Sequence, residues 1–351
     1  MRHAPHPAQA WCRLRLAFAC ALGLATCAPG SAQTPVRATD PPAAIEITAQ
    51  PIANFDYANS SRRRFGMLEF RGGLVLTSRF KEFGGISAIR VRPDGARFLA
   101  LTDKGWWLRG RITYAGTRPT GIADAEMAPI LGPDGKSLAS RRWYDTESIA
   151  EDGGIVYVGI ERVNRIVRFD YGKDGLLARG QPIDVPPRVR TLPNNKGLEA
   201  LVFVPRTLPL GGTLIAISER GLDRDGNLLA FLIGGPSPGT FAVERTADFD
   251  VSDAAQLPSG DILLLERKFS WTSGLFIRIR RVKLADVRPG AVVSGPVLFE
   301  GDLTQAIDNM EGLSVHRTAA GETVLTMISD DNFSALQRTL LLQFTLLEKG
   351  E

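Results

Sequence analysis

The 351-residue sequence has few of the side chains that redox and nucleophilic chemistry need. It contains three cysteines and three histidines, and the cysteines all fall within the first 32 residues. That stretch has a basic start, the apolar run LAFACALGLAT and the small residues GSA, an order typical of a secretory signal peptide. We expect residues 1–32 to be removed by cleavage after Ala32, in preference to lipid attachment at Cys27.

Cleavage would leave His316 as the last histidine and would remove Cys12, Cys20 and Cys27. Disulfides, thiolate metal sites and cysteine nucleophiles would then be excluded, and a single histidine disfavours a Ser-His-Asp triad. Three arginines would leave as well, which lowers the formal charge from +4 to +1 and removes the electrostatic argument for a nucleic-acid partner. No other segment has the apolar length of a membrane span. The sequence predicts an exported monomer, periplasmic or secreted.

Short apolar runs separated by turn signals dominate the rest of the chain. The turns include RPDG, GPDG, EDGG, DRDGN and LPSGD, in which glycine supplies the positive φ that hairpin turns require. Residues 33–60 are rich in Pro, Ala and Thr and are expected to form an extended lead-in. Residues 61–351 are predicted to form a single all-β domain.

One strand that ends in an acid recurs five times along the chain. The five copies are FLALTDKG, VYVGIERV, LIAISERG, ILLLERKF and VLTMISDD, with acids at Asp103, Glu161, Glu219, Glu266 and Asp330. A polar residue precedes each strand by one hairpin, at Ser87, Glu147, Glu199, Asp253 and Glu311. Such small sheets must pack together to bury their faces, which predicts a β-propeller of six blades, with five or seven also compatible. A β-sandwich is the alternative, but it would not explain five equivalent acids.

Equivalent strand ends in a propeller meet at one channel mouth, so the acids should gather there. Oxygen ligands from Asp, Glu and Asn suit Ca²⁺. The last repeat, DNMEGLS with SDDNF, has no adjacent base and is the best candidate for a metal site, with ligands Asp308, Asn309, Glu311, Asp330 and Asp331. In the other four repeats a base directly follows the acid, at Lys104, Arg162, Arg220 and Arg267. A ring of structural salt bridges would explain those four repeats equally well.

The motifs FGGISAIRVRPDGARFLALTDKG, DTESIA, NKGLEAL, LLLERKF and DNMEGLSV together resemble the bacterial phytase-like family, also labelled esterase-like activity of phytase. The resemblance runs from about Phe65 to Phe344. It implies an exported hydrolase that cleaves small phosphoester or ester substrates with the help of Ca²⁺ at the channel mouth. The catalytic carboxylates would be Glu147, Glu199 and Glu311, and the substrate would be held by Arg162, Arg220, Arg267 and Lys268. The alternative is a non-catalytic propeller that binds a ligand or protein partner in the periplasm.

Overall fold

Five sheets, antiparallel except for one short parallel pair, make up the computed structural model, which describes Met1 and residues 41–347. Residues 41–347 belong to one compact unit. The predicted signal peptide, beyond Met1, lies outside the described residues. Within the described part of the chain, no helix has the length and apolar character needed to cross a membrane.

The strands are numbered β1 to β24 in chain order and are grouped here by sheet, each sheet being one blade. Blade I contains β1 (Ala43–Ala44), β5 (Ile86–Val91), β6 (Arg97–Thr102), β7 (Trp106–Ala115) and β8 (Arg118–Pro129). Blade II contains β9 (Thr146–Asp152), β10 (Ile155–Ile160), β11 (Arg165–Asp170) and β12 (Gln181–Pro182). Blade III contains β13 (Leu198–Phe203), β14 (Thr213–Leu222), β15 (Leu228–Gly234), β16 (Gly239–Val243) and β20 (Val292–Val293).

The remaining two blades complete the ring. Blade IV contains β17 (Asp250–Gln256), β18 (Ile262–Ser270), β19 (Gly274–Val282) and β21 (Val297–Asp302). Blade V contains β2 (Thr48–Ile52), β3 (Arg64–Phe65), β4 (Leu68–Thr77), β22 (Met310–Arg317), β23 (Thr323–Ser329) and β24 (Thr339–Leu346). Within residues 41–347, a short α-helix and five 3₁₀-helical turns lie between strands, at Tyr171–Asp174, Ala139–Arg141, Glu161–Val163, Gly175–Leu177, Pro187–Thr191 and Leu284–Asp286.

The five sheets form a closed ring, which makes the fold a β-propeller. The innermost strands of the blades are β5, β9, β13, β17 and β22. They contact one another in that order, and β22 in turn contacts β5. One hydrophobic cluster fills each space between neighbouring blades. Burial of these apolar faces between blades is what holds the ring together.

Among the described residues the blade count is five, within the predicted range, and the sixth blade that the sequence favours is absent there. Its N-terminal strands join the last repeat instead: β4 pairs with β24, and β2 pairs with β4. The ring is therefore closed by strands from both ends of the chain in one sheet. Residues 43–52 of the predicted lead-in contribute β1 and β2.

Every innermost strand carries a β-bulge near its start. The pairing registers skip one residue in each strand, at Ser87, Glu147, Glu199, Ser252 and Glu311. A bulge changes the direction of the extra side chain. Ser252, and not Asp253, therefore occupies the equivalent position in blade IV, which corrects the sequence alignment of that repeat.

Candidate functional site

Three of the bulged residues face an acidic cavity at the channel mouth. The cavity has a volume of about 240 Å³ and is lined by Asp103, Asp145, Glu147, Glu161, Asn195, Lys196, Glu199, Glu219, Arg267, Glu311, Asp330 and Asn332. Eight carboxyl groups thus share this space with two cationic side chains. The bulged serines turn away from the cavity lining, since Ser87 donates to the Thr146 carbonyl at 2.7 Å and Ser252 donates to the Met310 carbonyl at 3.0 Å.

The closest group of acids within the described residues is Glu161, Glu199 and Glu219. One carboxylate oxygen from each lies within 4.8 Å of the others, and all three side chains are buried. Glu161 follows β10, while Glu199 is the bulged residue of β13 and Glu219 lies on β14. The neighbouring blades II and III therefore converge on one small volume. We call these three residues the acidic triad.

The partners of the acidic triad leave one carboxylate without a donor. Glu161 Oε1 accepts a 2.6 Å hydrogen bond from the Gly197 amide, and Glu219 lies 3.3 Å from Lys196 Nζ and 3.4 Å from Arg267. Within residues 41–347, the Glu199 carboxyl shares a hydrogen bond only with Glu161. A buried carboxyl group whose only hydrogen-bond partner is another acid is costly unless it is protonated or coordinates a cation.

Arg267 is the main counter-ion of the cavity. Its guanidinium donates to Glu311 and to the Asn309 side chain, and it also approaches Glu219. Burial lowers the pKa of Arg267, but the surrounding carboxylates, Glu311 first, outweigh burial and raise it. The side chain is fixed in direction and permanently charged.

Burial and mutual repulsion raise the pKa of several acids in the cavity. Burial raises the pKa of Glu161 to about 7, and burial together with the Glu311 carboxylate raises the pKa of Asp330 to about 8. The pKa values of Glu147 and Glu199 are raised well above the usual range, first by burial and then by neighbouring glutamates. The cavity therefore holds protons near neutral pH that a bound cation would displace.

Asp103 has a raised pKa for the same reason, and a glycine makes room for it. Burial raises the pKa of Asp103 to about 6, and its Oδ1 is buried without a hydrogen-bond partner. Gly85 approaches so closely that a Cβ there would lie 2.3 Å from Asp103 Oδ1, and its φ of +59° also favours glycine. Gly85, the second glycine of FGGIS, thus leaves room for Asp103 at the cavity wall.

Two of the five predicted metal ligands, Glu311 and Asp330, line the cavity. Asn309 lies next to it and holds Arg267 and Glu311 in place. Asp331 is occupied elsewhere, because it accepts hydrogen bonds from Gly85, Phe333 and Thr339. Asp308 likewise accepts from the amides of Asn309 and Arg338. These two residues shape the loops around the mouth.

The structure brings the predicted catalytic residues Glu147, Glu199 and Glu311 together in the cavity. Only one of the four predicted substrate-binding bases lies there. Arg267 lines the cavity. Arg220 pairs with Asp250, Lys268 lies over the rings of Phe249 and Phe276, and Arg162 lies over the Tyr144 ring. None of these three is among the lining side chains described above.

The fourth repeated acid, Glu266, is a structural group. Its carboxylate is fully buried and lies 2.6 Å from both Arg278 and Arg280, two arginines of β19. The salt-bridge interpretation of the repeated acids therefore holds for blade IV. It does not hold for the cavity, where acids outnumber bases.

A second ion pair lies across the channel below the cavity. The Arg90 guanidinium contacts both oxygens of the fully buried Asp253, at 2.8 and 3.0 Å, and it also donates to the carbonyls of Leu201, Ala254 and Leu313. These partners come from three other inner strands. Arg90 thus joins four blades at the channel axis.

The sequence did not predict that Glu161 and Glu219 lie together with Glu199 in one triad. Both acids are repeat positions in the sequence, but the excess of acid in the last repeat places the predicted metal site in blade V. Lys196 and Asp145 were not identified at all. NKGLEAL and YDTESIA place them beside the bulged glutamates, so proximity to the bulge is the signal that would have found them.

The family model described as Phytase-like, esterase-like activity of phytase, matches residues 81–333. No curated protein matches the sequence. Solved structures that match include YCF48 bound to D1 peptide, with 11% identity, a TM-score of 0.35 and coverage of 75% of this chain and 66% of that chain.

Two further structural matches are equally remote. A nidogen/laminin complex has 12% identity and a TM-score of 0.37, covering 75% of this chain and 86% of that chain. A hypothetical protein from Leishmania major has 11% identity and a TM-score of 0.39, covering 78% and 89%. At these scores the likeness carries no argument about function.

Proposed function

The chain belongs to the Phytase-like family, and from that premise we propose that it is an exported hydrolase that cleaves phosphoester or ester bonds at its acidic cavity with the help of Ca²⁺. The observation that carries the proposal is the acidic triad: three buried glutamates with oxygens within 4.8 Å of one another. Export is supported by the N-terminal sequence pattern.

The donor set of the triad suits a hard cation. All its ligand atoms are carboxylate oxygens, which Ca²⁺ prefers, and Glu199 has no donor partner of its own among the described residues. Glu161 and Glu219 are already oriented by Gly197, Lys196 and Arg267. Bound Ca²⁺ would supply positive charge to the oxygens of the ester.

The other lining residues have roles that follow from their charge. Arg267 presents a guanidinium whose position is fixed by Glu311 and Asn309, and it suits the anionic group of a substrate. Glu147 and Asp330 have raised pKa values and line the same cavity, so they are placed to exchange protons with a substrate near neutral pH. Arg90 and Asp253 join four blades below the cavity, so we expect substrate to enter and leave through the mouth.

Hydrolysis tests the proposal directly. EDTA-treated protein should release little product from phytate, p-nitrophenyl phosphate or short acyl esters, and added Ca²⁺ should restore release. Glu199→Gln should lower kcat/KM by about a hundredfold or more, whereas Glu300→Gln, an exposed acid of β21, should leave it unchanged. Absence of activity on every substrate with Ca²⁺ present would contradict the proposal.

A non-catalytic propeller remains the second candidate, and the buried pairing of Glu266 with two arginines favours it. In that case the acids of the cavity would serve as scaffold, or bind a partner without turnover. Protein that binds Ca²⁺ but hydrolyses nothing would support this alternative.

A further inference from the structure

Exposed apolar side chains concentrate on the face of the propeller that carries the acidic cavity. Within residues 41–347, the exposed large apolar side chains are Tyr57, Tyr114, Leu177, Leu222, Phe269, Trp271, Val292, Val297, Leu303, Phe333 and Leu336. Six of these eleven lie in loops and strand ends of blades IV and V next to the cavity. We call Tyr57, Phe269, Trp271, Leu303, Phe333 and Leu336 the apolar rim.

The apolar rim is continuous with the cavity along β18. Arg267 lines the cavity, and Phe269 lies two residues farther on the same strand, so both side chains project from the same face. The Phe269 ring contacts the Trp271 ring with centroids 5.3 Å apart. Trp271 is 95% exposed at the tip of the hairpin between β18 and β19.

The hairpin tip is held in position by its own hydroxyl groups. Ser270 Oγ lies 2.9 Å from the hydroxyls of Thr272 and Ser273 and accepts hydrogen bonds from the amides of both residues. Trp271 is therefore presented to solvent by an ordered turn.

The second part of the apolar rim lies across the loops of blade V. The Tyr57 amide donates to the Thr304 carbonyl next to Leu303, and the Arg338 guanidinium lies 3.5 Å from the Tyr57 hydroxyl. Phe333 follows Asn332 of the cavity lining, and Lys104 Nζ lies 2.8 Å from the centre of its ring. Leu336, two residues before Arg338, is 95% exposed.

This arrangement of charges fits a ligand that is polar at one end and apolar at the other. Carboxyl groups outnumber bases in the cavity, so the Ca²⁺ that the proposed function assigns to the acidic triad would have to supply most of the positive charge that attracts an anionic group. Arg267 inside the cavity, and Arg338 and Lys104 beside rim residues, would add to that attraction. Apolar groups farther out gain free energy in proportion to the rim area that they cover. A wholly polar substrate would leave the apolar rim uncovered.

We propose that the apolar rim binds the alkyl or aryl part of an amphiphilic ester whose anionic head enters the acidic cavity. This inference rests on the proposed function, because the cavity must hold the head. It narrows the substrate class from phosphoesters or esters in general to those with a sizeable apolar substituent.

Binding of two phosphonates that differ only in chain length tests the proposal without turnover. Dodecylphosphonate, kept below its micelle-forming concentration, and methylphosphonate are titrated by calorimetry into the full-length protein with Ca²⁺. Dodecylphosphonate should bind at least about tenfold more tightly. Trp271→Ala combined with Leu336→Ala should remove most of that difference, whereas Leu177→Ala, an exposed apolar residue far from the rim, should not.

The outcomes separate this inference from the proposed function. Equal affinity for the two phosphonates, or an undiminished difference in the rim variant, overturns the rim proposal and leaves the cavity proposal standing. Failure of both phosphonates to bind also overturns the rim proposal, and the hydrolysis assay then decides on the proposed function. Self-association of the wild-type protein in sedimentation that the rim variant abolishes would assign the apolar rim to a second copy of the chain, and would overturn the proposal too.

Discussion

At the scale of single residues, charge in the cavity is balanced by very few groups, and Arg267 is the most important of them. Its replacement by Met would leave Glu311 and Glu219 without their guanidinium partner. We expect a loss of about 3 kcal/mol in the free energy of unfolding near pH 8 in EDTA, measured by urea denaturation. Protonation of the acids should reduce this loss at lower pH.

Arg288→Met, an exposed arginine outside the cavity, is the control for that variant. Its free energy of unfolding should change by less than about 0.5 kcal/mol. A loss for Arg267→Met no larger than the control's would show that the cavity acids do not depend on this arginine.

In the protein without metal, replacement of Glu199 should affect stability in the opposite direction to replacement of Arg267. Because burial and neighbouring glutamates raise its pKa, Glu199→Gln removes an acid that is costly to ionise. We expect the variant to melt at or above the wild-type temperature in EDTA, and to lose the rise in melting temperature that Ca²⁺ gives the wild type. A Ca²⁺-induced rise of unchanged size would remove Glu199 from the ligand set.

At the scale of elements, the inner-strand bulges and the Arg90–Asp253 pair organise the channel. Asp253 is fully buried, so Arg90→Met leaves a carboxylate without its partner and should cost about 3–5 kcal/mol in denaturation experiments. Arg90→Met combined with Asp253→Leu should cost less than Arg90→Met alone, because no lone charge remains. Equal or additive costs would contradict this interpretation.

The repeats predicted the elements well, and contacts with neighbouring strands and loops explain the exceptions. The recurring polar residues upstream of the strand-end acids predicted Glu147, Glu199 and Glu311 as one group. Glu266 deviates because its neighbours on β19 are Arg278 and Arg280, a cross-strand pairing that strand spacing cannot reveal. Asp331 deviates because a loop conformation turns it toward Gly85.

The number of blades depended on a contact between distant parts of the chain. The sequence shows strands at both ends, but not that β4 pairs with β24. A short-range pattern identifies each hairpin, whereas ring closure is a long-range contact. Five was therefore one of three compatible counts until the structure was known.

At the scale of the whole molecule, the cavity makes stability depend on pH. The pKa values of Asp103, Glu161 and Asp330 in the folded protein are about 6, 7 and 8, whereas unfolded carboxyls have pKa values near 4. Between about pH 4 and about pH 8 the folded protein binds more protons than the unfolded chain does. Its free energy of unfolding therefore falls as the pH rises through this range. In EDTA the melting temperature should be higher near pH 6 than near pH 8.5.

Ca²⁺ should reverse that trend. The ion competes with protons for the same carboxylates, so its stabilising effect should be larger near pH 8.5 than near pH 6. Melting curves at both pH values, with Ca²⁺ and with EDTA, give the comparison. A Ca²⁺ effect independent of pH would indicate binding outside the acidic cavity.

The most direct test of the cation site is a calorimetric Ca²⁺ titration of EDTA-stripped protein near pH 7, in two buffers that differ in ionisation enthalpy. The acidic triad predicts saturable binding with a Kd of about 1 mM or tighter. Because Glu161 and Glu199 have raised pKa values, binding should release protons, which the buffer difference counts. Absence of binding, or binding without proton release, would contradict a Ca²⁺ site formed by these glutamates.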